Sequence, residues 1–208
     1  MAAPTYPLSV PTSPYYSKSS WALQRKTALS VSPFSGAQQV FEYDFALWSV
    51  SLTLPPMKRS DAANWQSFIL KLHGRKGTFL LGDPDARTPR GAISGSVTLG
   101  ANIAVGDFTI SISTSQNSLA NAFRAGDYIQ LGSAGTSKLH MIVDDVNTDS
   151  SGDANINIEP AVKTAVTSGN TVVYNNPKGL FRMQNPQIDW DADELSKYGI
   201  SFSAMEAL

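Results

Sequence analysis

A polar run between residues 144 and 153 is the part of the chain whose residue types and spacing come nearest to a metal site. Four of its side chains match positions 1, 3, 5 and 9 of a calcium loop. These candidate ligands are Asp145, Asn147, Asp149 and Asp153. The loop also needs a glycine at position 6 and a glutamate at position 12, where this chain has Ser150 and Ile156. A polar hairpin tip is therefore the favoured interpretation, and calcium binding is the alternative hypothesis.

The two histidines are the side chains best suited to acid–base chemistry near neutral pH. His73 falls in the last turn of a predicted helix, where a cation favours the helix dipole. His140 falls within a predicted strand over 138–146. No nucleophile elbow, phosphate-binding glycine loop or metal-spaced histidine cluster accompanies them. The sequence therefore predicts no catalytic residue, no cofactor and no enzyme activity.

Tryptophans raise the alternative of a carbohydrate site, because their rings can stack on sugar faces. Trp48 and Trp65 lie on apolar stripes of a predicted strand and a predicted helix, so we expect them in the core. Trp21 and Trp190 are not placed by a comparable pattern. A carbohydrate-binding module remains an alternative function.

The composition narrows the class of protein. The chain has 208 residues, a formal net charge of -1 and only 16% charged residues, so nothing in the overall charge predicts specific nucleic-acid binding. The absence of cysteine excludes disulfides, thiolate metal sites and cysteine nucleophiles. No apolar run is long enough for a membrane span, and the first twenty residues do not resemble a secretion signal.

Residues 1–20 are predicted to form an extended N-terminal arm. Four prolines, at positions 4, 7, 11 and 14, oppose regular strand pairing. Tyr6, Tyr15 and Tyr16 give the arm apolar surface to bury. We expect this arm either to lie across a neighbouring copy or to be disordered.

Residues 21–90 are predicted to contain strands over 21–31 and 40–54, a helix over 60–73 and a strand over 77–81. The second strand loses its alternation near Ala46, which indicates a bulge. Ser60 is the expected helix N-cap and Gly74 the expected stop. The apolar stripe of the helix comprises Trp65, Phe68, Ile69 and Leu72.

Residues 91–177 have a different character, with fewer aromatic residues and more Ser, Thr, Gly and Asn. Short predicted strands recur there, two of them after Gly106-Asp107 and Gly126-Asp127 turns. This pattern predicts a small β-barrel. Residues 178–208 return to the earlier character, with strand fragments at 179–183 and 188–190 and a closing strand at 198–205. We therefore predict a mainly β fold, a β-sandwich with one α-helix formed by 21–90 and 178–208, carrying 91–177 as an inserted β-barrel.

Several segments within 21–208 carry a resemblance to one family. They are Ser32-Pro33-Phe34-Ser35-Gly36-Ala37-Gln38-Gln39-Val40, Leu52-Thr53-Leu54-Pro55-Pro56-Met57, the 61–74 helix leading into Gly77-Thr78-Phe79-Leu80-Leu81-Gly82-Asp83-Pro84, and Tyr198-Gly199-Ile200-Ser201-Phe202 with Glu206-Ala207. Together they resemble the distal tail proteins of long-tailed, siphovirus-type bacteriophages. The insertion does not match the galectin-like attachment found in some relatives.

The resemblance implies a structural virion protein at the tail tip, assembled in the host cytoplasm. It implies a homo-oligomeric ring of six copies that joins the tail tube protein to the tip hub protein and to side or receptor-binding fibres. DNA would pass through such a ring without specific binding. The alternatives are another tail component, such as a tail-completion or tube-like subunit, and a carbohydrate-binding module built on the insertion. An enzymatic tail protein, such as a lysin, has no acid–base pair to support it.

Overall fold

A computed structural model describes residues 3–187, 189–192 and 197–208. Its described part contains one α-helix, α1 (Arg59–Lys71), and two β-sheets, which confirms the prediction of a mainly β fold with one α-helix. The strands are β1 (Leu8–Ser9), β2 (Lys18–Val31), β3 (Gln38–Thr53), β4 (Thr78–Leu81), β5 (Val97–Leu99), β6 (Thr109–Thr114), β7 (Tyr128–Leu131), β8 (Lys138–Ile142), β9 (Asp153–Glu159), β10 (Gly179–Met183), β11 (Trp190–Ala192) and β12 (Tyr198–Glu206). Ile188, the first residue of a predicted fragment, lies outside the described residues.

The larger sheet has the strand order β1-β4-β10-β12-β3-β2, with β11 paired to β12. Alternate residues are buried from Trp48 in β3 to Leu54 just after it, and the residues between them carry small polar side chains. This period of two places one apolar face against the core. The predicted bulge is present: Arg25 pairs with Ala46 and Thr27 with Glu42, so residues 43–45 of β3 lie opposite Lys26.

Helix α1 covers part of the apolar face of this sheet. All four residues of its predicted stripe are buried, and the ring of Trp65 lies 6.0 Å from that of Phe202. The predicted cap is wrong, because Lys58 occupies the N-cap position and Ser60 lies inside the helix. Backbone bonds between Met57 and Tyr198 hold the chain just before the helix, so tertiary pairing rather than cap preference sets its start.

The end of the helix also differs from the prediction. α1 stops at Lys71, with Leu72 as its C-cap, so His73 is not in the last helical turn. His73 has φ +50° and Gly74 has φ +68°. Two successive left-handed residues end the helix and turn the chain towards β4. Gly74 therefore belongs to the stop, as predicted, but His73 shares that role.

The N-terminal arm folds back onto its own chain, so the prediction that it lies across a neighbour or is disordered is wrong for residues 3–16, here called the strap. Its strand β1 pairs in parallel with β4, and Tyr6, Leu8 and Tyr16 pack against the main core. The Tyr6 hydroxyl donates to the Lys71 carbonyl at 2.8 Å. The prolines flank a strand of only two residues, and Tyr6 and Tyr16 on either side of it hold the strap against the core.

The smaller sheet has the order β5-β6-β9-β8-β7 and curls around its own apolar core. Residues 171–173 connect its two edges, because Thr171 forms a bridge with Thr98 and Val173 forms one with Gln130. The chain leaves the larger sheet after β4 and re-enters it at β10, and these two strands pair directly, with Gly179 opposite Leu81. The turns at Gly106 and Gly126 have φ values of +95° and +93°, as their Gly-Asp patterns predict.

Candidate functional site

A β-hairpin that extends beyond the larger sheet is the most prominent surface feature. β12 pairs with β3 only between Ser49 and Thr53, whereas β2 and β3 remain paired with each other out to Val31 and Gln38. Residues 24–43, here called the projecting hairpin, therefore form a two-stranded ribbon, and their described residues show no third strand. At 3.3–3.4 Å per residue, each arm reaches roughly 25 Å from the sheet.

Both faces of the projecting hairpin expose apolar side chains. One face carries Leu29 and Val40, which are 59% and 65% exposed; the other carries Phe41 and Tyr43 with ring centroids 5.0 Å apart. Phe34, at the tip, is 98% exposed. An isolated two-stranded hairpin is at best marginally stable in water, and clustered exposed apolar residues mark interaction surfaces.

Charges are divided between the two arms of the projecting hairpin. Within residues 24–43, the β2 arm carries Arg25 and Lys26, and the β3 arm carries Glu42. The Arg25 guanidinium lies 2.7 Å from Glu42 and 2.5 Å from Glu159 of the smaller sheet. The hydrogen bond to Glu42 and then the one to Glu159 raise the pKa of Arg25. Arg25 thus links the base of the hairpin to the smaller sheet.

A second polar cluster lies where the smaller sheet packs against the larger one, here called the joint. Lys163 forms an ion pair with Glu206 of β12, and the Glu206 side chain is fully buried. The Lys138 ammonium donates to the Ala207 carbonyl at 2.5 Å. The Trp48 indole donates to the Leu139 carbonyl at 2.9 Å. These contacts, together with the Trp48–Tyr128 ring pair, hold the two sheets in one arrangement.

His140 is completely buried beside this cluster. Its Nδ1 lies 2.7 Å from the Pro160 carbonyl, which makes Nδ1 the hydrogen-bond donor, and its Nε2 has no partner among the described residues. Burial is the main reason that the pKa of His140 falls to about 4, and the ammonium groups of Lys163 and Lys138 lower it further. His140 is therefore a neutral imidazole near pH 7, and its Nε2 is a buried acceptor without a hydrogen-bond partner among the described residues.

The four candidate calcium ligands lie between β8 and the start of β9, and each accepts hydrogen bonds from other groups of the protein. Asp145 accepts from the Ala125 amide, and Asn147 accepts from the Asn121 amide. Asp149 accepts from the Ser151 and Asp153 amides, and Asp153 accepts from the Ser113 hydroxyl. These backbone bonds, led by the one from Asp153, lower the pKa of Asp149.

No group of three or more His, Asp or Glu residues in the described part of the chain could hold a metal ion. The geometry therefore gives the calcium hypothesis no support. The β8–β9 loop instead uses its carboxylates and its amide as turn and cross-loop acceptors.

The sequence predicts neither the projecting hairpin nor the joint. The sequence predicts the two strands, over 21–31 and 40–54, but not that they extend beyond the rest of the sheet. Their length, compared with that of the other predicted strands, was the signal that could have indicated a projecting hairpin. Lys163 and Glu206 are 43 residues apart, and no local pattern indicates that they meet. Trp48 and Trp65 are 4% and 0% exposed, which confirms their predicted place in the core.

No protein-family model matches this chain, and a search of curated proteins gave no match. No helix in the described residues is long and apolar enough to cross a membrane.

Proposed function

We propose that this protein is a structural subunit of a phage tail tip that assembles into a homo-oligomeric ring through its projecting hairpin. The observation that carries the proposal is the exposure of apolar side chains on both faces of a ribbon whose two edges are free. A free edge presents unpaired backbone donors and acceptors to another strand. A ribbon with this composition is more stable when neighbouring chains cover it.

The charges of the two arms favour a second copy as that neighbour. Lys26 on the β2 arm, placed beside the β3 arm of the next copy, would approach Glu42 and bring opposite charges together. Glu42 also pairs with Arg25 of its own chain. The two contacting surfaces differ, so the contact is heterologous, and heterologous contacts that close produce rings. Pairing through identical arms would instead place like charges side by side.

The place of the ring in a virion comes from the family resemblance. We propose six copies at the distal end of the tail, located between the tail tube protein and the tip hub protein, with side or receptor-binding fibres as further partners. The ring would be assembled in the host cytoplasm, and DNA would pass through it. The protein would act through assembly rather than through catalysis.

The test compares two matched substitutions in the full chain. Val40 on the projecting hairpin is 65% exposed and Val105, in the connection between β5 and β6 of the smaller sheet, is 63% exposed, so valine to serine removes a similar apolar surface at each position. We expect V40S to weaken the oligomer about tenfold or more, because burying an aliphatic side chain contributes about 1.5–3 kcal/mol. V105S should assemble like the unmodified protein. Analytical ultracentrifugation measures both dissociation constants.

Equal assembly by V40S and V105S would contradict the role of the projecting hairpin. A ring that survives V40S but is lost in V105S would assign assembly to the smaller sheet instead. Immunogold labelling of purified particles tests the location separately, since the proposal requires labelling at the tail tip.

A further inference from the structure

A cleft of about 250 Å³ opens beside the joint, between the end of the β7–β8 hairpin and residues 162–166. Its buried floor contains Leu131, Lys138, His140 and Val162. Its exposed rim contains Ser133, Thr136, Thr164 and Asn170. Lys163 also lines the cleft, and its side chain is only 12% exposed. The cleft thus has cationic groups at its base and hydrogen-bonding side chains at its entrance.

Positive charge is in excess at the base of the cleft. Lys138 and Lys163 supply two ammonium groups, and Glu206, the ion-pair partner of Lys163, supplies one carboxylate, which leaves these groups a net charge of +1 with His140 neutral. Burial is the largest cause of the lowered pKa of both lysines. An uncompensated charge in a poorly solvated site favours a counter-ion of opposite sign.

Hydrogen-bond donors are also in excess. An ammonium group has three donors, yet among the described residues Lys138 donates to Ala207 alone and Lys163 to Glu206 alone. About four N–H donors therefore remain, against one open buried carboxylate oxygen in the cluster, Glu206 Oε1. The neutral His140 adds a different requirement, because its open Nε2 is an acceptor in need of a donor. A ligand that satisfies both groups would have to accept from ammonium groups and also donate one hydrogen bond.

We propose that this cleft binds a protonated oxyanion of the phosphate class, either free phosphate or the phosphate of a monoester. The phosphate oxygens accept from the two ammonium groups and from the rim hydroxyls. The remaining P–O–H donates to His140 Nε2, which needs no change in the protonation of the imidazole. Sulfate has no proton near neutral pH and leaves Nε2 without its donor. This inference is independent of the proposed ring.

The chain has two histidines, which makes imidazole NMR a direct measurement. We expect the His140 ring signals to shift saturably when inorganic phosphate is added to the full chain at pH 7 and constant ionic strength. The signals of exposed His73 should not move, because His73 lies outside the cleft. Sulfate should bind about tenfold more weakly than phosphate, since an unsatisfied buried acceptor costs about 1–3 kcal/mol.

Two pairs of variants link the signal to the cleft. K138Q should weaken phosphate binding about tenfold or more, because it removes a charged hydrogen bond, whereas K58Q loses the same charge at an exposed position outside the cleft and should bind normally. T164V tests the exposed rim without disturbing the buried floor, and T167V is its neighbour outside the lining. We expect T164V to bind about threefold more weakly than T167V.

Glycerol 3-phosphate distinguishes the two sources of the anion. Binding as tight as that of free phosphate indicates a cleft that admits a monoester, whereas binding of inorganic phosphate alone indicates a free ion that stabilises the joint. The proposal is overturned if His140 does not shift with either compound, or if K138Q and K58Q bind phosphate equally.

Discussion

His140 shows how one buried side chain reports on the joint between the two sheets. In an unfolded chain its pKa is near the ordinary 6.5, whereas burial lowers it to about 4 in the folded protein. The unfolded state therefore takes up the proton first as the pH falls. The contribution of His140 to the free energy of unfolding is therefore complete above pH 6.5, and it is lost as the pH falls from 6.5 to about 4.

We expect His140 to account for roughly 3 kcal/mol of lost stability between pH 7 and pH 4, since one pKa unit corresponds to about 1.36 kcal/mol. Urea unfolding at several pH values, in acetate and MES buffers without phosphate, measures this loss. H140Q keeps an amide donor for the Pro160 carbonyl and removes the titration, so its stability should depend less on pH. H73Q is the matched control, and parallel curves for H140Q and the unmodified chain would exclude the assignment.

At the scale of elements, the strap depends on a close approach at Gly77. A Cβ on Gly77 would lie 2.5 Å from the Tyr6 ring and 2.7 Å from the Leu72 carbonyl oxygen. The ring can move, but the backbone carbonyl is held by the end of α1. We expect G77A to destabilise the protein by about 1–3 kcal/mol, as overpacking typically does, and to increase hydrogen exchange at β1.

Gly135 provides the control for this prediction, because a Cβ there would meet nothing within 4 Å. G135A should leave the free energy of unfolding and the exchange rates close to those of the unmodified protein. If G77A proves as stable as G135A, then the contact between the strap and the helix end is looser than the distances indicate.

Local sequence patterns predict which face of α1 is buried but not where the helix starts. Its stripe of four apolar residues follows from a period of 3.6 residues, and the structure buries all of them. Its start does not follow from local preference, because the backbone pairing of Met57 with Tyr198 decides where the chain can turn. That pairing joins residues far apart in sequence, which a cap motif cannot reveal.

The strap and the joint extend the same lesson. Proline content correctly limited strand pairing in residues 3–16, but it carried no information about which surface the tyrosines would cover. The joint depends on Lys163 and Glu206, which approach only after both sheets have formed. Residue types predicted the class of fold, whereas the contacts between distant elements needed the structure.

At the scale of the whole molecule, the described residues combine two joined sheets with a hairpin that extends beyond them. The two sheets are joined through buried polar contacts, and β4 and β10 lie side by side where the smaller sheet is connected. The projecting hairpin extends from this body with both apolar faces exposed. This exposed extension supports the proposal that the chain assembles with copies of itself.

Native mass spectrometry of the purified full chain, over a range of protein concentrations, measures whether such a ring forms. We expect a closed species with six times the 22.3 kDa mass of one chain, which dissociates at a higher protein concentration in V40S than in the unmodified protein. A single-chain mass at every concentration, for the unmodified protein as well as for V40S, would contradict it.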